Sequence, residues 1–340
     1  MKHKVIMLSG LLGLLISATS CYSANTRINV DPNKGIYKVG ISQYVRHESL
    51  DAAALGFKDE LTRIMHENHR DVKYFDVNSQ GETSLCTVSA ACLVSKGVDL
   101  ILANATPSFQ AAVNATRTIP IVGNSITSYE TALNIKINDD CIGTNATGTT
   151  DLPPLKQQAE MLFDLIDGVK EIGLIYCSSE ANSLYQIEHV EQYIKEIANQ
   201  RNLKDVKSTR YSFVDSNEIE QIVRKAAISS DALYVPTDNT CASSALTIKA
   251  ACKNGQRITP LICGDIGTCR KAGIATLTID YYDLGIVSGK MAADILLGKE
   301  KVEEMKIRYA DNYTYRYNQE ICKECNIEID ERFEGYVPIE

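Results

Sequence analysis

The chain is expected to be an α/β protein made of two doubly wound parallel-sheet lobes, and three observations predict this. From residue 37 onward, short β-branched apolar runs alternate with longer segments of helical period. The length of 340 residues accommodates two domains of ordinary size. The alternation breaks at residues 143–154, where Gly, Thr, Asn and Pro accumulate and a boundary is expected.

Strands are expected at 37–42, 72–77, 100–103, 119–122, 172–176, 206–209, 232–235, 261–263 and 275–279. Between the first two, Leu50, Ala54, Phe57, Leu61 and Ile64 recur at spacings of three and four, the apolar stripe of a helix that packs on a sheet. Met161, Leu165 and Ile166 repeat the pattern after the Pro153-Pro154 break, and residues 184–200 and 218–227 continue it. Residues 133–138 read as extended with no helix before them, so the chain is expected to leave the first lobe there. A late helix at 281–297 ends at Gly298 and returns to the first lobe, with an extended stretch at 306–309 after it. Lobe 1 is then 36–148 with 281–300 and lobe 2 is 149–280 with 301–340, joined by a three-crossing hinge near 148–151, 279–281 and 299–304.

Residues 1–20 have the form of a signal peptide. Lys2, His3 and Lys4 precede an apolar stretch from Val5 to Ile16 that is too short to span a bilayer. Ala18, Thr19 and Ser20 then lead into Cys21, an order that resembles a lipobox, in which the cysteine is lipidated. Ala18 and Ser20 also suit ordinary signal peptidase cleavage; lipidation is the expectation, with residues 21–35 as the tether from the membrane.

The formal charge of −8 and the lack of a basic run beyond the first residues argue against a nucleic-acid partner, which needs clustered Lys and Arg to neutralise phosphates. Trp is absent and Tyr numbers 17, so aromatic contacts must come from Tyr and Phe. Of 11 cysteines, many lie within apolar runs or at strand ends, where a thiol behaves as a small hydrophobe, and mostly reduced core thiols are expected. Cys322 and Cys325 form a C-x-x-C, read as a local disulfide or free thiols.

In open parallel sheets, ligands bind beyond the carboxyl ends of the strands, where loops and helix N-termini leave N–H groups free. After the first strand stand Gln43, Tyr44 and His47; after the third, Thr106, Phe109 and Gln110; at the boundary, Asp151. The second lobe offers Glu180, Asn182 and Ser183, then Asp238, Asn239 and Thr240, then Asp265. Ser, Thr, Asp and Asn are ordinary helix caps, so any single loop needs no ligand to explain it. Several such loops facing one cleft do. Acids beside neutral donors and Tyr44 suit a ligand that carries an ammonium, a carboxylate and an apolar body.

Gln43 and His47 with Leu50-Asp51 and Gly56-Phe57, Ala105-Thr106-Pro107 with Gln110, Thr147-Gly148-Thr149-Thr150-Asp151, Ser179-Glu180-Ala181-Asn182-Ser183, Thr237-Asp238-Asn239, and Ile279-Asp280-Tyr281-Tyr282 with Leu284-Gly285 occur in that order. Together they resemble the substrate-binding proteins of ABC transporters of the tryptophan/tyrosine type, over nearly all of residues 37–298. Cys177 and Asp265 depart from that pattern, standing where Asn and Glu are expected. The resemblance implies a type I periplasmic-binding fold, an ABC permease as partner and an aromatic or related amino acid as ligand. On this reading the ammonium is expected on Asp238, with Glu180 or Asp265 beside it. The carboxylate is expected on Thr106, Ser183 or nearby helix amides, with Tyr44 and Phe109 flanking the side chain. A nucleoside or peptide ligand, or a sensing role, is the alternative.

Enzyme motifs are missing: there is no G-x-S-x-G elbow and no G-x-x-x-x-G-K-[ST] loop. His66 and His69 share a helix face but lack a carboxylate pattern, so neither a metal nor a cofactor is expected. If Cys21 carries the anchor, Cys21→Ala moves the protein from the membrane fraction to the soluble exported fraction; unaltered membrane association in that variant contradicts the lipobox.

Overall fold

The computed structural model describes residues 28, 30–310 and 312–340, so the signal-like segment and Cys21 lie outside the described residues. Its strands in chain order are β1 (Ile36–Gln43), β2 (Asp71–Asn78), β3 (Leu100–Asn104), β4 (Ile121–Asn124), β5 (Ala146–Thr150), β6 (Glu171–Cys177), β7 (Lys207–Phe213) and β8 (Ala232–Val235). They continue with β9 (Lys253–Asn254), β10 (Arg257–Ile258), β11 (Leu261–Cys263), β12 (Ala275–Thr278), β13 (Arg308–Tyr309), β14 (Thr314–Tyr317) and β15 (Val337–Pro338).

Two sheets result. The first has the order β13-β5-β4-β3-β1-β2 and is parallel throughout. The second has the order β15-β14-β12-β11-β8-β6-β7 and is parallel except where β12 meets β14. These are the two α/β lobes, and β9 with β10 forms a small separate hairpin. Strand β3, Leu-Ile-Leu-Ala-Asn, is buried at every position, as a central parallel strand covered by helices on both faces must be.

The helix Glu48–Glu67 forms because Leu50, Phe57, Leu61 and Met65 recur on one face, with Glu48 and Asp51 in its first turn where the helix dipole favours acids. Phe57, Leu61 and Met65 are fully buried, each worth about 1.5–3 kcal/mol over exposure. That face meets the late helix Tyr281–Leu296 in the same core. The two backbones touch: a Cβ at Gly285 would lie 2.1 Å from the Ala53 carbonyl oxygen, so only glycine permits the approach. This contact returns the late helix to lobe 1.

Three expectations are corrected. The segment Ala146–Thr150, taken as part of a boundary, is strand β5, buried throughout. It lacks an apolar run; its hydroxyls do the work instead, with Thr149 Oγ1 donating to Asn124 Oδ1 at 2.9 Å and Thr147 Oγ1 to the Met305 carbonyl at 3.1 Å. Residues Tyr129–Leu133 are a short helix and 134–138 form no strand. Residues 301–309 stay with lobe 1, because β13 pairs with β5. The chain therefore crosses after β5, after β12 and at 310–313, between β13 and β14, and not near 299–304.

Candidate ligand-binding cleft

The carboxyl ends of the two sheets face one cavity. Lobe 1 lines it with His47, Leu50, Ser125 and Thr127, lobe 2 with Asn182, Thr237, Asp238, Asn239, Ala242 and Asp265, and two crossings add Asp151 and Tyr281. The cavity measures about 10 Å³, room for about one water. An amino acid enters only when the lobes part.

On the lobe 1 side, β3 and β4 end in register at Asn104 and Asn124, and the next residues turn together. Ala105 takes φ 83° and Ser125 φ 58°, conformations that cost on the order of 1–3 kcal/mol each in residues with a Cβ. The turn at Ala105 starts the helix Thr106–Ala115, whose first N–H groups have no partner within the helix. Among the described residues, Ser125 Oγ and His47 Nδ1 are buried without a hydrogen-bond partner, as are Asn182 Oδ1 across the cleft and Thr106 Oγ1 outside the cavity lining. Buried polar atoms are nearly always paired, and each orphan costs about 1–3 kcal/mol. A larger hollow of about 530 Å³, rimmed by Arg270, Asp280 and Arg316, contains none of these orphans, and for that reason the smaller cavity is the better candidate.

The lobe 2 acids are already engaged. Glu180, fully buried, accepts from Asn239 Nδ2 at 2.6 Å, Thr240 Oγ1 at 2.7 Å, Thr240 N at 2.9 Å, Asn239 N at 3.2 Å and Asn182 Nδ2 at 3.3 Å. Burial, followed by the neighbouring Asp238, raises its carboxyl to about 7. Asp238 accepts from Cys177 N at 2.7 Å and Cys241 N at 2.8 Å, capping the next helix, and burial pushes it up as well. Asp265 accepts from Thr268 Oγ1 at 2.6 Å, Ser49 Oγ at 2.8 Å and Thr268 N at 3.0 Å. These carboxylates build the loops. Asp238 and Asp265 also line the cavity, with much of their hydrogen-bonding capacity committed to these loops.

Asp151, on the first crossing, is less well supplied. It is buried and receives only the Tyr281 hydroxyl at 3.0 Å and Thr127 Oγ1 at 3.2 Å from side chains, and among the described residues no Lys or Arg pairs with it. Burial raises its carboxyl to about 6, against the smaller opposing pull of those two hydroxyls. Tyr281 belongs to the second crossing, and Tyr313 of the third donates to the Leu152 carbonyl at 3.0 Å, so the hinge strands are bound to one another beside this carboxylate.

Other expected residues divide by location. Gln43 donates to Asp51 at 2.6 Å and shapes its own loop. The Tyr44 ring is buried with Leu50, Cys86 and Ala105, its hydroxyl donating to the Gly81 carbonyl at 2.7 Å. Phe109 does not flank a ligand: it lies in the lobe 1 core, edge-on to Tyr129 at 5.1 Å. Gln110 donates to the Ala132 carbonyl at 2.9 Å, away from the cavity. Ser183 is buried beside Asp238. Ser125, Thr127, Thr237 and Tyr281 were not among the expected site residues; the loop after β4 obeys the same strand-end rule as its neighbours and would have revealed the first two.

The family model described as ABC transporter substrate binding protein matches residues 38–336. The chain belongs to that family. As an ABC transporter substrate-binding protein it works outside the cytoplasm, and among the described residues no helix is long and apolar enough to cross a membrane. It is 31% identical over 323 residues to a tyrosine-binding protein of Clostridioides difficile, a match covering 94% of this chain and 90% of that one. A structure of an ABC domain in complex with L-Trp from Streptococcus pneumoniae superposes with a TM-score of 0.80 at 29% identity, covering 89% of this chain and all of the other. A ligand-free, open structure of a substrate-binding protein with adhesive properties from Clostridium difficile gives 0.63 at 30% identity, covering 89% of this chain and 99% of that one.

The raised Asp151 carboxyl has a signed consequence. Between the ordinary carboxylate range and about 6 the folded chain keeps a proton that the unfolded chain releases, so its contribution to stability is lost as pH rises through about 6. Asp151→Asn removes that buried charge and, at pH 8, stabilises the ligand-free protein by on the order of 2 kcal/mol in urea melts. A loss of stability contradicts the assignment.

Proposed function

We propose that this protein is the solute receptor of an ABC importer, that it captures a free aromatic amino acid between its lobes, and that it releases the ligand chemically unchanged. The observation that carries this reading is that Asp151, a buried carboxylate with no Lys or Arg partner among the described residues, lines one cavity with the orphaned Ser125 hydroxyl, while the orphaned Thr106 hydroxyl stands at the helix start that follows the adjacent strand end. An α-amino acid presents an ammonium and a carboxylate on one carbon. Its ammonium neutralises Asp151, and its carboxylate accepts from Thr106, Ser125 and the helix amides.

Leu50, Ala242 and the Tyr281 ring supply apolar wall for the side chain. The tyrosine-binding relative and the L-Trp complex support an aromatic one. The greater likeness to the L-Trp complex than to the ligand-free, open structure, at nearly equal identity, supports closure of the lobes around the ligand. The contact of His47 with Asn239, at 3.2 Å, supports binding without turnover. Cys21, ahead of β1, tethers the receptor to the membrane beside its permease.

Calorimetry on ligand-stripped protein tests the two-charge seat. L-Tyr or L-Trp binds below about 100 μM. Tyramine, lacking the carboxylate, and N-acetyltyrosine, lacking the ammonium, each bind at least about 30-fold more weakly, since each leaves a desolvated group unpaired. Comparable affinity for either analogue, or conversion of the ligand detected by mass spectrometry, contradicts the proposal.

A further inference from the structure

One orphan atom has a protonation state set by its neighbours. Asn239 donates through Nδ2 to the Glu180 carboxylate at 2.6 Å, which fixes the amide so that Oδ1 faces His47 Nε2 at 3.2 Å. An amide oxygen only accepts, so Nε2 must carry the hydrogen; the opposite tautomer would set two lone pairs against each other. In the neutral ring Nδ1 is then a bare acceptor. That atom is buried, has no partner among the described residues, and belongs to a side chain lining the cavity.

A buried acceptor of this kind calls for an N–H or O–H on the ligand. An aromatic amino acid has two places to offer one: its ammonium and, in tyrosine and tryptophan, its ring. The ammonium already has Asp151, whose formal charge and lack of a cation make it the stronger partner. We propose that His47 Nδ1 accepts the ring donor, the phenol O–H or the indole N–H, and so determines specificity for donor-bearing aromatic side chains against phenylalanine. Glu180 and Asn239 act through His47 as positioning residues, holding its tautomer from the other lobe. The reader of the side chain is therefore assembled only when the lobes meet.

This inference rests on the amino-acid reading above, and its test separates the two. Calorimetry is run with L-Tyr, L-Trp and L-Phe on the full exported chain and on His47→Leu. The unsubstituted protein binds L-Tyr or L-Trp at least about tenfold more tightly than L-Phe, the loss expected when a buried acceptor is left unpaired. In His47→Leu that preference falls to within about threefold, because L-Tyr and L-Trp lose more affinity than L-Phe. Side-chain 15N spectra of the unsubstituted protein, with the His47 signal assigned by its loss in the variant, show a protonated Nε2 and an unprotonated Nδ1. Equal binding of the three ligands, an equal loss for all three in the variant, or a protonated Nδ1 overturns the specificity role and leaves the amino-acid ligand standing. If none of the three binds, the amino-acid reading fails and this inference fails with it.

Discussion

The Glu180 carboxylate organises the lobe 2 side of the cleft. Its two oxygens, fully buried, gather five donors from Asn182, Asn239 and Thr240, and so join two loops that lie about 60 positions apart in sequence. A buried charge in this setting is stable only when its hydrogen bonds are complete. With the carboxyl in place, Asn239 has one orientation, and the face that lobe 2 offers to lobe 1 is a fixed pattern of donors and acceptors. Asp238, beside it, caps the following helix and adds a second buried acid whose proximity raises the first.

Lobe 1 answers with strain and with orphaned polar atoms. Ala105 and Ser125 turn through positive φ at adjacent strand ends, and Thr106 and Ser125 hold hydroxyls that nothing among the described residues satisfies. Three consecutive residues at the start of one helix reach lobe 2 directly: His47 to Asn239, Glu48 to Arg270 at 2.9 Å, and Ser49 to Asp265 at 2.8 Å. These contacts favour closure, and the orphans and Asp151 oppose it. A ligand that satisfies them adds its interaction energy to the closed state alone, which is the condition for a population shift.

Much of this fold was legible because its strands are β-branched apolar runs and its first helix carries a regular stripe from Leu50 to Leu61. Strand β5 was not, because Ala-Thr-Gly-Thr-Thr is held by hydroxyl bonds to Asn124 and Met305, which no periodicity records. The site was legible as a set of loops and not as a set of roles. Asp238 and Glu180 read as free acids in sequence, since their donors come from distant loops or from backbone amides. Phe109 lies three residues after Thr106, yet its ring lies in the lobe 1 core, edge-on to Tyr129. Asp151 was legible as a residue of the boundary; its importance depends on Tyr281, 130 positions later, arriving at the same hinge.

The central claim is that the orphaned atoms of His47, Ser125 and Asn182 gain partners only when a ligand joins the two lobes. Small-angle scattering on ligand-stripped protein, before and after saturation with L-Tyr or L-Trp, tests it most directly. The account predicts a larger radius of gyration without ligand and contraction on binding. An unchanged radius, with binding confirmed in the same samples, contradicts it.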